Sequence, residues 1–189
     1  MSPALNFPAE LLLKAQGVRV VFFDIDGVFT DGGIYVGAQG EDFKRFHTLD
    51  GQGIKMLHRA GIVPVVITGR DAPALRARVE ALGIRHAHYG TEDKRPAAEQ
   101  TLRSLGLDWT QAAAMGDDWP DLPVLLRAVF ACAPANAHAE VKAVATWVTP
   151  HEGGQGAVRD LCDLLLTAIG HYAALLSAAA DLPPAGPRA

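Results

Sequence analysis

Six short apolar runs, residues 18–23, 62–67, 85–88, 112–115, 129–133 and 146–148, recur along the chain with segments of helical length between them. The first, Val18-Arg19-Val20-Val21-Phe22-Phe23, is rich in β-branched and aromatic residues. A near-continuous run of that kind and length fits a strand buried on both faces of a parallel sheet. The segments 51–59, 72–82, 94–105, 122–128 and 155–169 have helical spacing, and Gly61, Gly83 and Gly106 stand where helices stop. Regular alternation of the two predicts an α/β fold, a doubly wound, Rossmann-like parallel sheet with helices on both faces.

One segment breaks the alternation. Residues 32–46 hold Ile34-Tyr35-Val36, a Gly37-Ala38-Gln39-Gly40 turn and Asp42-Phe43-Lys44-Arg45-Phe46, which reads as a β-hairpin inserted after the first strand. The expected organisation is an N-terminal extension (1–17), a core domain (18–170) carrying the hairpin, and a C-terminal tail (171–189) whose Pro-rich end, 182–189, cannot be helical. No internal repeat or low-complexity linker is visible.

Composition narrows the partners. The 189 residues carry a net charge of −4 without a basic tract, which speaks against nucleic acid, since phosphate neutralisation needs clustered Lys and Arg. Cys132 and Cys162 form no Cys-x-x-Cys and read as buried structural thiols in a reducing compartment. Leu11-Leu12-Leu13, flanked by Glu10 and Lys14, is too short for a signal core, so a cytoplasmic protein is expected. Residues 164–180 carry no formal charge if His171 is neutral and approach the length of a membrane span. Gly170, His171, Tyr172 and Ser177 interrupt them, and Asp160 and Asp163 precede them on the expected helix, so no membrane is expected. Their Leu and Ala surplus is assigned to packing on the core and on another subunit.

Candidate chemistry sits at the predicted strand ends. Asp24-Ile25-Asp26-Gly27 follows the first strand, and alternate side chains there point the same way, so one carboxylate can attack while the other moves a proton. Thr68-Gly69-Arg70 follows the second strand, Lys94 opens a helix, and Gly116-Asp117-Asp118-Trp119-Pro120-Asp121 follows the fourth. Each alone is ordinary: a turn, a solvated lysine, an N-cap. Together they supply what phosphoryl transfer from a monoester needs, a carboxylate nucleophile, a hydroxyl and an ammonium for the phosphate oxygens, and oxygen ligands for Mg²⁺. His86 and His88 share a strand face but have no third ligand nearby and read as structural.

In order and spacing, Asp24-Ile25-Asp26-Gly27, Thr68, Lys94 and Gly116-Asp117-Asp118 with Asp121 resemble the four motifs of the haloacid dehalogenase superfamily. The longer pattern, with the hairpin, Asp50-Gly51-Gln52-Gly53-Ile54, Ile67-Thr68-Gly69-Arg70 and Gly153-Gly154-Gln155-Gly156-Ala157-Val158-Arg159, is similar to the 3-deoxy-D-manno-octulosonate 8-phosphate phosphatases, members without a cap domain that act in lipopolysaccharide synthesis. The resemblance implies Asp24 as nucleophile, Asp26 as general acid and base, Thr68 and Lys94 on the phosphate, and Mg²⁺ on Asp24, the Asp26 carbonyl and Asp117, with Asp118 and Asp121 behind them. It also implies substrate contacts from Asp26, His47, Thr48, Leu49, Asp50, Gly51, Lys55, Arg70, Arg78 and Lys94, Leu49 standing where relatives tend to have a polar or basic residue. A homotetramer is implied as well, with a neighbour's loop or tail closing each site. The hairpin and the glycine-rich 153–156 stretch followed by Arg159 are available for those jobs. The alternatives are a phosphatase for a nine-carbon sialic-type sugar acid phosphate and, in a different class, a non-catalytic phospholigand-binding module. The complete Asp24, Asp26, Thr68, Lys94 and Asp117 set argues against the latter, since binding alone needs no second aspartate poised for proton transfer.

Overall fold

The structure is a computed structural model and describes residues 3–38 and 40–180. In chain order its elements are α1 (Ala9–Ala15), β1 (Val20–Phe23), β2 (Tyr35–Gly37), β3 (Gly40–Phe43), α2 (Thr48–Arg59), β4 (Val63–Ile67), α3 (Pro73–Ala81), β5 (His86–His88) and α4 (Lys94–Leu105). There follow β6 (Ala112–Met115), α5 (Leu122–Leu125), β7 (Phe130–Ala133), α6 (Ala139–Val144), β8 (Trp147–Val148), α7 (Ala157–Ala168) and α8 (Tyr172–Ala180).

All four side chains of β1 are buried because the strand has a core on each side. Val21 and Phe23 enter one core, Val20 and Phe22 the other, as the two-residue period of a strand requires. β4, β6 and β7 divide in the same way, Phe130 and Cys132 to the first core, Ala131 and Ala133 to the second. Helices cover both faces: Leu57 of α2, Val79 of α3 and Leu161 of α7 pack into the first core, and Leu102 of α4, Leu125 of α5 and Val141 of α6 into the second. Fully burying such a side chain contributes about 1.5–3 kcal/mol, so the two cores together fix the strand ends firmly.

The sheet is parallel throughout, in the order β5-β4-β1-β6-β7-β8, and β2 and β3 form a separate antiparallel pair. From β1 the chain winds outward to β5 and then returns to build β6, β7 and β8 on the other side. That reversal beside β1 is a topological switch point, where open α/β sheets bind ligands beyond the carboxyl ends of their strands. The doubly wound fold and inserted hairpin match the expectation from the sequence.

Several boundaries differ for local reasons. α2 starts at Thr48 rather than residue 51 because the His47 ring accepts the Leu49 amide as an N-cap. α5 is only four residues long, since the chain must turn to enter β7, with the Val129 amide bonded to the Trp109 carbonyl. Within the extension, α1 packs on α7, and Phe7 meets the Trp147 ring edge-on at 5.9 Å. The apolar stretch 164–180 is not one helix. It breaks at Gly170, with φ +75°, into α7 and α8, bent by 108°. No single helix among the described residues is long and apolar enough to cross a membrane. α8 occupies part of the expected tail, whose Pro-rich end, 182–189, lies outside the described residues.

Candidate active site

The Asp24 amide bonds to the Met115 carbonyl, extending the β1–β6 ladder one residue past the strand. The chain then turns back on itself, the amides of Val28, Phe29 and Thr30 all reaching the Ile25 carbonyl. Thr30 Oγ1 accepts the Gly27 and Gly32 amides at 3.3 and 3.2 Å, closing a tight loop. Gly27 has φ +84° and lies so close to the β6 loop that a side chain there would strike Asp117. Only glycine meets both demands.

The glycine-rich stretch that follows β8 packs against the Asp24 loop of its own chain. A Cβ on Gly153 would fall 1.9 Å from the Gly27 carbonyl oxygen, and one on Gly154 2.6 Å from the Asp31 nitrogen. The Gly154 amide donates to the Val28 carbonyl at 3.0 Å. Asn136 bridges the two loops, donating to the Gly27 carbonyl at 3.3 Å and accepting the Gly153 amide at 2.7 Å. These glycines form a wedge beneath the Asp24 loop, where their missing side chains allow backbone to meet backbone. Arg159 likewise points away from the cleft, its Nε bonded to Asp163 Oδ1 at 2.7 Å.

Lys94 opens α4 yet is only 5% exposed, because its ammonium is shared by Asp24 Oδ1 and Asp121 Oδ1, each at 2.6 Å. Burial alone would lower its pKa; Asp24 and Asp121 outweigh that and the net shift is upward. Asp121 is held from its other side, Oδ2 accepting the Asp117 and Asp118 amides at 3.0 and 3.3 Å. A Cβ on Gly116 would lie 2.3 Å from the Asp121 Cβ, so this approach also depends on a glycine. Thr68 is buried at the end of β4, with its hydroxyl accepting the Arg70 amide at 3.2 Å.

Asp24, Asp117 and Asp121 bring one oxygen each within 4.8 Å of one another. Burial first, then the neighbouring carboxylates, pushes Asp117 up to about 7. Burial also raises Asp24, against the opposing pull of Lys94. Three carboxylates around a single ammonium leave excess negative charge, and hard oxygen donors at this spacing suit a divalent cation. Because Asp121 is committed to Lys94 and two amides, Asp24 and Asp117 are the carboxylates left to hold it.

A cleft of about 670 Å³ opens over these groups and is lined by Asp24, Asp26, Thr68, Arg70, Lys94, Asp117, Asp118 and Asp121, with Glu92 at its rim. His47, Thr48, Leu49, Asp50, Gly51, Lys55 and Arg78 do not line it. They form their own cluster at the start of α2. Asp50 is 1% exposed, and its Oδ1 accepts the Arg159 amide at 2.9 Å, so its carboxylate caps α7 instead of meeting a ligand in this chain's cleft. Burial pushes that carboxyl up to about 6. Arg78 reaches the His47 carbonyl at 3.5 Å, and a Cβ on Gly51 would stand 2.6 Å from its Nη2. Leu49 and Lys55 face outward. His88 is structural as expected, its ring nitrogen paired with Thr101 Oγ1 at 2.8 Å.

Two groups at the cleft were not anticipated from the sequence. Lys44 of the hairpin region reaches Asp26, its Nζ 2.5 Å from Asp26 Oδ1 and 2.7 Å from Glu41 Oε1. Arg70 joins them, its Nε 3.5 Å from Asp26 Oδ2. A hairpin pattern shows which residues alternate, not which face will lie on the body. Asn136 was the other omission, although an Asn just after a strand at the ligand end was a usable signal.

A model of the haloacid dehalogenase-like hydrolase family matches residues 87–160. The 3-deoxy-D-manno-octulosonate 8-phosphate phosphatase KdsC of Yersinia pestis is 41% identical over 159 residues, 84% of this chain and 85% of the relative. This chain belongs to that phosphatase family, within the haloacid dehalogenase-like hydrolases. Solved structures agree. A probable YrbI family phosphatase from Pseudomonas syringae superposes with a TM-score of 0.91 at 39% identity, over 93% of this chain and 100% of that one. The 3-deoxy-D-manno-octulosonate 8-phosphate phosphatase of Moraxella catarrhalis, solved with magnesium ion, phosphate ion and KDO, superposes with a TM-score of 0.88 at 33% identity, over 91% of this chain and 99% of that one. Phosphatases of this family share the mixed α/β sheet without a cap domain, so the cleft here stands open above the strand ends.

Proposed function

We propose that this chain hydrolyses 3-deoxy-D-manno-octulosonate 8-phosphate to the free sugar acid and orthophosphate, a step of lipopolysaccharide precursor synthesis in the cytoplasm. The carrying observation is the convergence of Asp24, Asp26, Thr68, Lys94 and Asp117 on one cleft at the switch point, in a chain 33% identical to a relative solved with magnesium ion, phosphate ion and KDO.

Each residue has a task set by its position. Asp24 attacks phosphorus in line, forming an aspartyl-phosphate as the bond from phosphorus to the sugar oxygen breaks. Lys94 fixes Asp24 Oδ1, which leaves the second oxygen to attack, and with Thr68 it neutralises and orients the phosphate oxygens. Asp26 gives its proton to the departing alkoxide, then takes one from the water that attacks the aspartyl-phosphate, releasing phosphate and restoring Asp24. Asp24, Asp117 and the Asp26 main-chain carbonyl would hold Mg²⁺, whose charge would offset repulsion between the carboxylate and the phosphate dianion. Asp121 and the Gly116 turn keep Lys94 and Asp117 in place.

The α2 cluster acts through assembly. Leu49, Ile34, Val36 and Phe43 are large apolar side chains left exposed around the hairpin and the α2 start, which supports a homotetramer in which a neighbouring copy brings His47, Thr48, Lys55 and Arg78 over the cleft. Phosphate release from a panel of sugar phosphates with Mg²⁺ tests the substrate. The octulosonate phosphate should show the highest kcat/KM; preference for a nine-carbon sialic-type phosphate would replace it.

A further inference from the structure

The hairpin region lies across Asp26 rather than beside it. The Lys44 side chain is 1% exposed, buried between Asp26 Oδ1 at 2.5 Å and Glu41 Oε1 at 2.7 Å. Arg70 closes the ring from the cleft side, 3.5 Å from Asp26 Oδ2 and 3.3 Å from Glu41 Oε2. Two cations and two carboxylates thus form a neutral ring, and neither Asp26 oxygen is clear of a cation. A leaving oxygen that is to meet Asp26 competes with these cations for it. The hairpin itself is a sheet apart from the main one, tied to the body by this ring, by Arg45 on the Gly154 carbonyl and Gln155 Oε1 at 3.3 Å each, and by Phe46 at the edge of the first core. Lys44 Nζ touches both carboxylates at once, so it can leave Asp26 without losing an anionic partner.

Resting on the reading of this site as a sugar acid phosphate phosphatase, we propose that Lys44 and Glu41 are specificity-determining residues. They form a latch on Asp26 that opens for a substrate bearing a second negative group beside its phosphate. The carboxylate of such a substrate draws Arg70 and Lys44 from Asp26, which takes up a proton from water and passes it to the leaving oxygen as the bond from phosphorus breaks. A neutral sugar phosphate offers only its phosphate, which Thr68 and Lys94 hold deeper in the cleft, and the latch stays closed. Glu41 makes the opening reversible by giving Lys44 a second anion on which to rest.

The test compares kcat and KM for octulosonate 8-phosphate and for glucose 6-phosphate in the wild type, Lys44→Met and Glu41→Gln. Lys44→Met keeps the apolar stem and removes the charge, with Lys44→Gln as substitute if it folds poorly. The latch predicts a severalfold rise in kcat on glucose 6-phosphate in Lys44→Met, a smaller change on the sugar acid phosphate, and hence a collapse of selectivity. Glu41→Gln should do the reverse, lowering kcat on the sugar acid phosphate severalfold with little change in KM. Equal losses on both substrates, or a rise only in KM for the sugar acid, would overturn the latch. A wild type that hydrolyses no sugar phosphate would instead remove the underlying reading. In that event amide exchange across residues 40–46 of the full chain decides the latch separately: Lys44→Met should speed it severalfold, and so should the free octulosonate but not orthophosphate; unchanged exchange in both would overturn the proposal.

Discussion

A methyl group on Gly27 would fall 2.0 Å from Asp117 Oδ2, so the loops after β1 and β6 meet as closely as backbone and carboxylate can. The positive φ of Gly27 adds a second penalty for any side chain there. Gly27→Ala should therefore push Asp117 from its place, and activity should fall by at least two orders of magnitude, about 3 kcal/mol of barrier. Mg²⁺ titration of the rate checks the cause: the half-saturating concentration should rise together with the loss in kcat.

The crowded carboxylates make stability depend on pH and metal together. Asp117 stands at about 7, and burial also raises Asp24. For a carboxyl raised on folding, the protonated form is favoured in the native state, so its contribution is full below the unfolded value and is lost as pH rises through the folded one. Metal-free protein should accordingly lose Tm from about pH 4 to about pH 7, and Mg²⁺ should restore more at the upper end, since it binds the deprotonated ligands. Melting curves at several pH values, with chelator and with Mg²⁺, measure both. A Mg²⁺ effect that does not grow with pH would contradict the assignment of these carboxylates.

The strand ends and their chemistry were legible because each rests on local sequence. A buried parallel strand such as 18–23 must be apolar throughout, and the Asp24, Thr68 and Asp117 loops follow their strands directly. What surrounds them was less legible because it depends on long-range packing. The glycines at 153 and 154 were visible only as a glycine-rich stretch, and the sequence did not show that the Asp24 loop rests on them. The resemblance implied a substrate contact for Asp50, but nothing in the sequence showed that it caps a helix more than a hundred residues away. Lys44 lay in an ordinary strand pattern, and only the fold of the hairpin onto Asp26 gives it meaning. The sequence marked an interruption of the apolar stretch at Gly170 and His171, but not that α8 would turn by 108° there.

Assembly should be visible through the hairpin. Val36 is 74% exposed on β2, an apolar side chain presented to solvent. Val36→Glu should lower the mass seen by light scattering from near four times the 20.0 kDa chain and raise KM for the sugar acid phosphate, because the α2 cluster of the neighbour would be withdrawn. A wild type that is monomeric and fully active would refute the completed-site account.

The central claim is that Asp24 becomes covalently phosphorylated. Protein quenched during turnover with Mg²⁺ and octulosonate 8-phosphate, then treated with borohydride, should carry homoserine at position 24, because an acyl phosphate is reduced where a free carboxylate is not. Peptide mass spectrometry reads the position directly. Conversion at residue 24 that requires substrate, and is absent in Asp24→Asn along with turnover, is the predicted result; conversion at Asp26, Asp117 or Asp121, or undiminished turnover in Asp24→Asn, would contradict it.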